Sequence, residues 1–273
     1  MRTSQTLAAL VQGSVLALLS MHCGGGLPVL HPARTLPVGA LRAGAGFAGN
    51  AATGGLSDAL GGARGEAAAH PNVPGAGVDE TFARGALVAA SIAPGLSPVV
   101  AARAGVGSQS EGGIAYTGRM VRIDMRRSFD LTSHWALSVG AGGSAALHGH
   151  QDGGALPNID LAALHGWAAD LPLLIGYQSD GDLYMLWVGA RAGYEHVEVS
   201  DVSMQPSSGP PNTLTATRFW SGGLLGAAVG FRHIHVAMEL DVSYASIEGA
   251  FDQMHAHVDG MTLTPSTALW WTF

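Results

Sequence analysis

Two His-x-His pairs have a spacing that could hold a metal. His148 and His150 flank Gly149, and His255 and His257 flank Ala256. In extended chain, residues i and i+2 point the same way, so each pair could offer two imidazoles to one ion. Asp152 follows the first pair, and Asp252 and Asp259 bracket the second. An acid–histidine set of this kind could also serve hydrolysis at a rim. The simpler expectation is solvated loop histidines, with no metal and no cofactor. The sequence has no Gly-x-Ser-x-Gly elbow and no His-Glu-x-x-His motif. Gly140-Ala141-Gly142-Gly143 lies mid-strand with no helix after it, so it lacks the setting of a phosphate-binding loop. A single Cys excludes an internal disulfide framework and any Cys-x-x-Cys site.

A second set of charged residues is placed more regularly. Arg122, Asp124 and Arg126 alternate with Val121, Ile123 and Met125, and Arg191 and Glu195 with Ala190, Ala192 and Tyr194. Glu239 and Asp241 alternate with Met238, Leu240 and Val242, and Asp170 stands between Ala169 and Leu171. A period of two is that of a β-strand with unlike faces. If the apolar face meets hydrocarbon, the charged face must line an interior in which opposite charges pair. The expected lumen network is therefore Arg122, Asp124, Arg126, Asp170, Arg191, Glu195, Glu239 and Asp241.

Composition agrees with strands in lipid. The 273 residues are 47% hydrophobic and only 12% charged, about half the charged fraction of an ordinary soluble domain. Past residue 22 there is no apolar run of the ~20 residues a membrane helix needs. Short alternating segments carry the hydrophobicity instead, as in a membrane barrel. All 13 basic residues are Arg, the formal charge is −7, and no Arg patch interleaves with aromatics, so nucleic acid is not an expected partner.

Residues 1–22 read as an export signal: Arg2 begins it and an apolar core runs from Ala8 to Leu19. Cys23 then precedes Gly24, Gly25 and Gly26, which resembles the start of a bacterial lipoprotein. His22 departs from that pattern, where a small side chain is usual. The resemblance implies a lipid on Cys23; ordinary signal cleavage nearby stays open as the alternative. Residues 23–33 read as a Gly/Pro tether and 34–273 as the barrel domain.

Period-two alternation gives about ten strands, at 35–49, 82–93, 98–107, 114–130, 134–148, 162–178, 183–199, 214–232, 234–247 and 260–273. Leu56 to Ala69 could form a short helix within a long connection. Connections after the second, fourth, sixth and eighth strands are tiny, and those after the first, fifth, seventh and ninth are long. Only the stretch from Ser108 to Gly113 breaks the long series. Short periplasmic turns opposite long extracellular loops are the habit of outer-membrane barrels. Trp167 and Tyr177 share one face ten residues apart, as do Tyr184 and Tyr194. At about 3.3 Å per residue and a tilt near 40°, each pair spans roughly 25 Å of membrane normal. With Trp135 and Trp271 they make the expected aromatic girdle.

The chain ends Leu269-Trp270-Trp271-Thr272-Phe273, with Met261 and Leu263 in phase before it. This resembles the terminal strand of Gram-negative outer-membrane barrels, and the resemblance implies recognition of Phe273 by the barrel-assembly machinery. Pro265 departs from the pattern because it removes a ladder donor; a bulge there is expected. The expected fold is an all-β, antiparallel up-and-down transmembrane barrel of about ten strands, with eight or twelve as alternatives, both termini periplasmic and outer-membrane lipid around it. The expected role is structural or small-solute passage through a lumen lined by Arg and carboxylate. The alternative is a rim-active enzyme or binding barrel, similar at fold level to the omptin proteases, using Asp152, Asp252, His255 and Asp259.

Overall fold

A computed structural model describes residues 27–70, 79–149, 156–202 and 211–273. Ten antiparallel strands close into one barrel, each paired with its neighbours in sequence and the first with the last. The strands are β1 (Leu41–Thr53), β2 (Gly95–Gly107), β3 (Ser110–Tyr116), β4 (Met120–Asp130), β5 (Trp135–Ala146), β6 (His165–Gln178), β7 (Tyr184–Val199), β8 (Leu214–Phe231), β9 (Ile234–Phe251) and β10 (Met254–Thr272). Two helices, α1 (Gly55–Ala69) and α2 (Glu80–Ser91), stand between β1 and β2. The signal at 1–22 and Cys23 lie outside the described residues.

The expected number of strands is met by a different partition. Residues 82–93, read as a strand, are helical through Ser91 and belong to α2 (Glu80–Ser91). Its Phe82, Ala83, Ala86, Leu87 and Ala90 are all buried at helical spacing, and alanine favours a helix. Residues 114–130, read as one strand, are two. The chain turns at Thr117 to Arg119, where Gly118 takes a φ of 74° that an L side chain adopts only at a cost. The first strand starts at Leu41, not at 35. The last starts at Met254, because Asp252 enters the left-handed region at φ 53° and closes a tight hairpin with β9. The expected long connection between the ninth and tenth strands is therefore absent.

At one end of the barrel every connection is short: Ser108–Gln109, the turns at 131–134 and 179–183, and Arg232–His233. Ser108 to Gly113, read as a break in the series, is one of these turns running into β3. At the other end the connections at 54–94, 147–164 and 200–213 are long, while those at 117–119 and 252–253 are short. We call these the turn end and the loop end. Both β1's start and β10's finish lie at the turn end: Phe273 N–H donates to the Leu41 carbonyl at 2.8 Å, and Leu41 N–H donates back at 3.3 Å.

Pro265 needs no bulge. The β1–β10 register keeps the same offset at Ala48↔Ser266 and Ala51↔Leu263, and the ladder omits only Gly49 and Asn50. Asn50 turns its side chain to other uses, donating to the Ile92 carbonyl after α2 and accepting from Thr264 Oγ1 at 3.3 Å.

The wall has two unlike faces. Leu171, Leu173, Ile175, Leu186, Val188, Val236, Met238 and Leu240 are all exposed on the outside. Aromatic rows bound this apolar band. At the turn end Trp135 meets Tyr177 at 5.5 Å, Tyr177 stacks on Tyr184 at 5.8 Å, and Trp271 stacks on Phe273 at 5.9 Å between ring centres. Nearer the loop end Trp167 meets Tyr194 at 5.5 Å. Beyond that second row the outward positions turn polar, with His165 within 3.9 Å of Glu198 and His257 within 3.6 Å of Glu248. No described helix is long and apolar enough to cross a membrane; strands alone would do so.

Candidate functional site

The distinctive feature is the interior. The eight charged residues singled out from the alternation, Arg122, Asp124, Arg126, Asp170, Arg191, Glu195, Glu239 and Asp241, are all buried. Most join one chain of ion pairs across the lumen. Asp170 on β6 accepts from Arg122 Nε at 2.9 Å and Nη2 at 3.0 Å, and from Arg191 Nε at 3.0 Å. Arg122 also donates to Asp124, which Arg103 of β2 grips with two nitrogens. Arg103 reaches on to Glu111 of β3, which Arg126 binds at 2.9 Å. Separately, Arg218 pairs with Glu195 at 2.5 Å.

Sequence reasoning missed Arg103, Glu111 and Arg218. The signal for Arg103 was present, since it alternates with the outward Val100, Ala102 and Val106 of β2. Glu111 was hidden because its segment was read as a loop.

Small residues make the network fit. A Cβ at Gly142 would lie 2.5 Å from Arg122 Nη2, and one at Gly226 would lie 2.1 Å from the Trp187 ring. At these two glycines a guanidinium and an indole group lie close against the sheet. Arg191 also covers the Trp220 ring at 4.8 Å, and Arg42 covers Trp270 at 4.9 Å, geometry in which a cation gains from the ring quadrupole.

Residues 27–36 occupy the turn-end half of the lumen. Residues 27–33, part of the stretch read as a Gly/Pro tether, run inside the barrel. Val29 and Leu30 N–H donate to the two oxygens of Glu239 at 2.7 and 3.0 Å, and Trp187 Nε1 donates to the same carboxylate at 2.8 Å. Arg126 donates to the carbonyls of Pro32, Ala33 and Arg34, and Arg191 to that of Leu27. Arg34 emerges at the turn end, where its Nε meets Asp130 at 3.1 Å.

The loop-end half is filled differently. Inward residues of β7 to β10, among them Val197, Leu214, Ile247 and Phe251, form one apolar cluster with α2, α1 and the 156–164 connection. Phe82 meets Phe251 edge-on at 5.5 Å. Between the halves a cavity of about 40 Å³ touches Leu27, Arg191, Trp220 and Asp241. A second, of about 30 Å³, lies beside Leu30, Arg42 and Trp270. Each has room for a few waters at most.

The described members of the histidine pairs do not come together. His255 and His257 lie on the outer face of β10, in a strand and not in the expected loop. His148 is exposed at the loop end, across the barrel from β10. His150 and Asp152 lie outside the described residues. Asp252 sits in the β9–β10 turn, while Asp259 faces outward beside His257 at 3.7 Å. Among the described residues, no group of three or more His, Cys, Asp or Glu is disposed to hold a metal. The described members of the omptin-like set therefore share no cleft.

No protein-family model and no curated protein matches the chain. Among solved structures, Neisserial surface protein A aligns over 86% of this chain and 96% of its own, at 10% identity and a TM-score of 0.33. The RagAB peptide transporter aligns over 88% of this chain and 41% of its own, at 8% identity and a TM-score of 0.28.

Proposed function

We propose that the chain is an outer-membrane β-barrel, held in lipid by the band between its aromatic rows, with a lumen that serves as a packed core. The filled lumen carries this reading. An extended segment occupies one half and a helical hairpin caps the other, and the two lumen cavities described between and beside them are water-sized. Of the two expected roles, this supports the structural one. Small-solute passage would first require residues 27–36 to leave.

In this reading the short turns face the periplasm, outer-membrane lipid is the main partner, and Phe273 at the turn end presents the assembly signal to the barrel-assembly machinery. The apolar exterior supports it, since exposed hydrocarbon on this scale is foreign to a free-standing soluble surface. The charged interior supports it too, since a barrel in lipid can keep ionised groups only where they pair.

Planar-bilayer recordings test the closed lumen. The native protein is expected to show no steady conductance. The double variant R126A/E239A removes five of the hydrogen bonds to the backbone of residues 29–34; because the helices still fill the loop-end half, it too is expected to show no steady conductance. A steady open pore in the native protein would overturn the proposal.

A further inference from the structure

Residues 27–36 are held the way a protein holds a bound peptide. The wall addresses their main chain. The carbonyls of Leu27, Pro32, Ala33 and Arg34 accept from arginines, and the N–H groups of Val29, Leu30 and Leu36 donate to carboxylates. Thr35 N–H donates to Ser128 Oγ at 3.3 Å. The five partners, Glu111, Arg126, Ser128, Arg191 and Glu239, come from β3, β4, β7 and β9. The segment's own side chains supply mostly apolar filling: Val29, Leu30 and Ala33 pack with Leu174, Trp187 and Trp270.

Two properties follow from this arrangement. Main-chain groups are common to every peptide, so the contacts select an extended backbone with side chains of suitable volume and ask little else of the sequence. The site is also fixed independently of its occupant, because Arg126 is anchored by Glu111 and Arg191 by Asp170. If the segment left, Glu239 would lose two of the three hydrogen bonds described for its carboxylate, keeping that from Trp187. A buried charge stripped of its hydrogen bonds is costly, so the emptied lumen would attract another donor-bearing chain.

We propose that the turn-end half of the lumen is a binding site for an extended, largely uncharged polypeptide segment. Residues 27–36 are its tethered occupant, and a second segment of like chemistry can replace them. The tether hides this activity, because a linked segment acts at an effective concentration in the millimolar range. The proposal depends on the lumen geometry and not on the membrane reading, and detergent-solubilised protein suffices to test it.

The tether can be cut where the fold allows it. Val38 is 73% exposed, and Gly39, at φ 80°, has open space around it. A protease site placed between them in the full chain would let the folded protein be nicked. A fluorescent peptide with the sequence of residues 27–37 is then expected to bind the nicked protein saturably and to leave the uncut protein unlabelled. N-methylation at Val29 and Leu30 removes the two donors to Glu239 and is expected to weaken binding about 100-fold. A peptide carrying the volume-conserving change L30M is expected to bind within about tenfold of the original. No uptake by nicked protein, or equal binding of the N-methylated peptide, would overturn the proposal.

Discussion

Replacing Asp170 by Ala is expected to lower the unfolding free energy by about 3–5 kcal/mol, measured by urea unfolding in lipid vesicles. Asp170 is the one carboxylate between Arg122 and Arg191, receiving three hydrogen bonds of 2.9–3.0 Å from them. Arg122 is 2% exposed and Arg191 4%, so neither can turn to water when its partner goes. The triad itself adds little net stability, since desolvating three charges offsets their attraction. The cost lies in removing one partner and leaving cations buried. For that reason D170A/R191M is expected to recover part of the loss, through apolar fill in place of the guanidinium that Asp170 paired, while Arg122 keeps its ion pair with Asp124. A D170A effect under about 1 kcal/mol would mean the network is screened like a surface ion pair, which would contradict a dry, filled lumen.

Val188→Arg is expected to cost about 2–4 kcal/mol in lipid. Val188 points outward on β7 midway between the aromatic rows, paired with Ile175 of β6 and Leu225 of β8. Its 49% exposure would make the same change nearly neutral on a wetted surface, where substitutions away from special features stay within about 0.5 kcal/mol. Ser246→Arg serves as the control. Ser246 lies on β9 beyond Tyr244, next to the polar positions Glu248 and His257, where the cost is expected to fall to about 0–1 kcal/mol. Comparable small effects at both positions would argue against an apolar medium around the band.

What the sequence revealed, and what it concealed, follows from the range of each signal. Alternation is local, and it marked the two faces of β4, β6, β7 and β9 because their outward residues are mostly apolar while each carries at least one charged residue inward. It misread 82–93, where an Ala-rich stretch satisfies a two-residue period almost as well as a helical one. It also ran across Gly118, since one glycine inside a strand pattern signals a turn only when its backbone angle is known. These two errors offset each other in the strand count. The ion-pair chain was legible only in part: its members show in the sequence, but their pairing depends on barrel closure. The placement of residues 27–36 was the least accessible, because Pro28, Pro32 and the adjoining Gly-rich stretch have the composition of a linker. What draws them inward is Glu239 and Arg126, more than ninety residues away.

The central claim, a barrel with its apolar face in lipid and its charges within, is tested most directly by nitroxide labels at Leu171, Leu186, Val236 and Met238 in proteoliposomes. The account predicts that all four labels relax strongly with dissolved oxygen and are shielded from a water-soluble nickel chelate. Free access of the chelate at these four positions would contradict it.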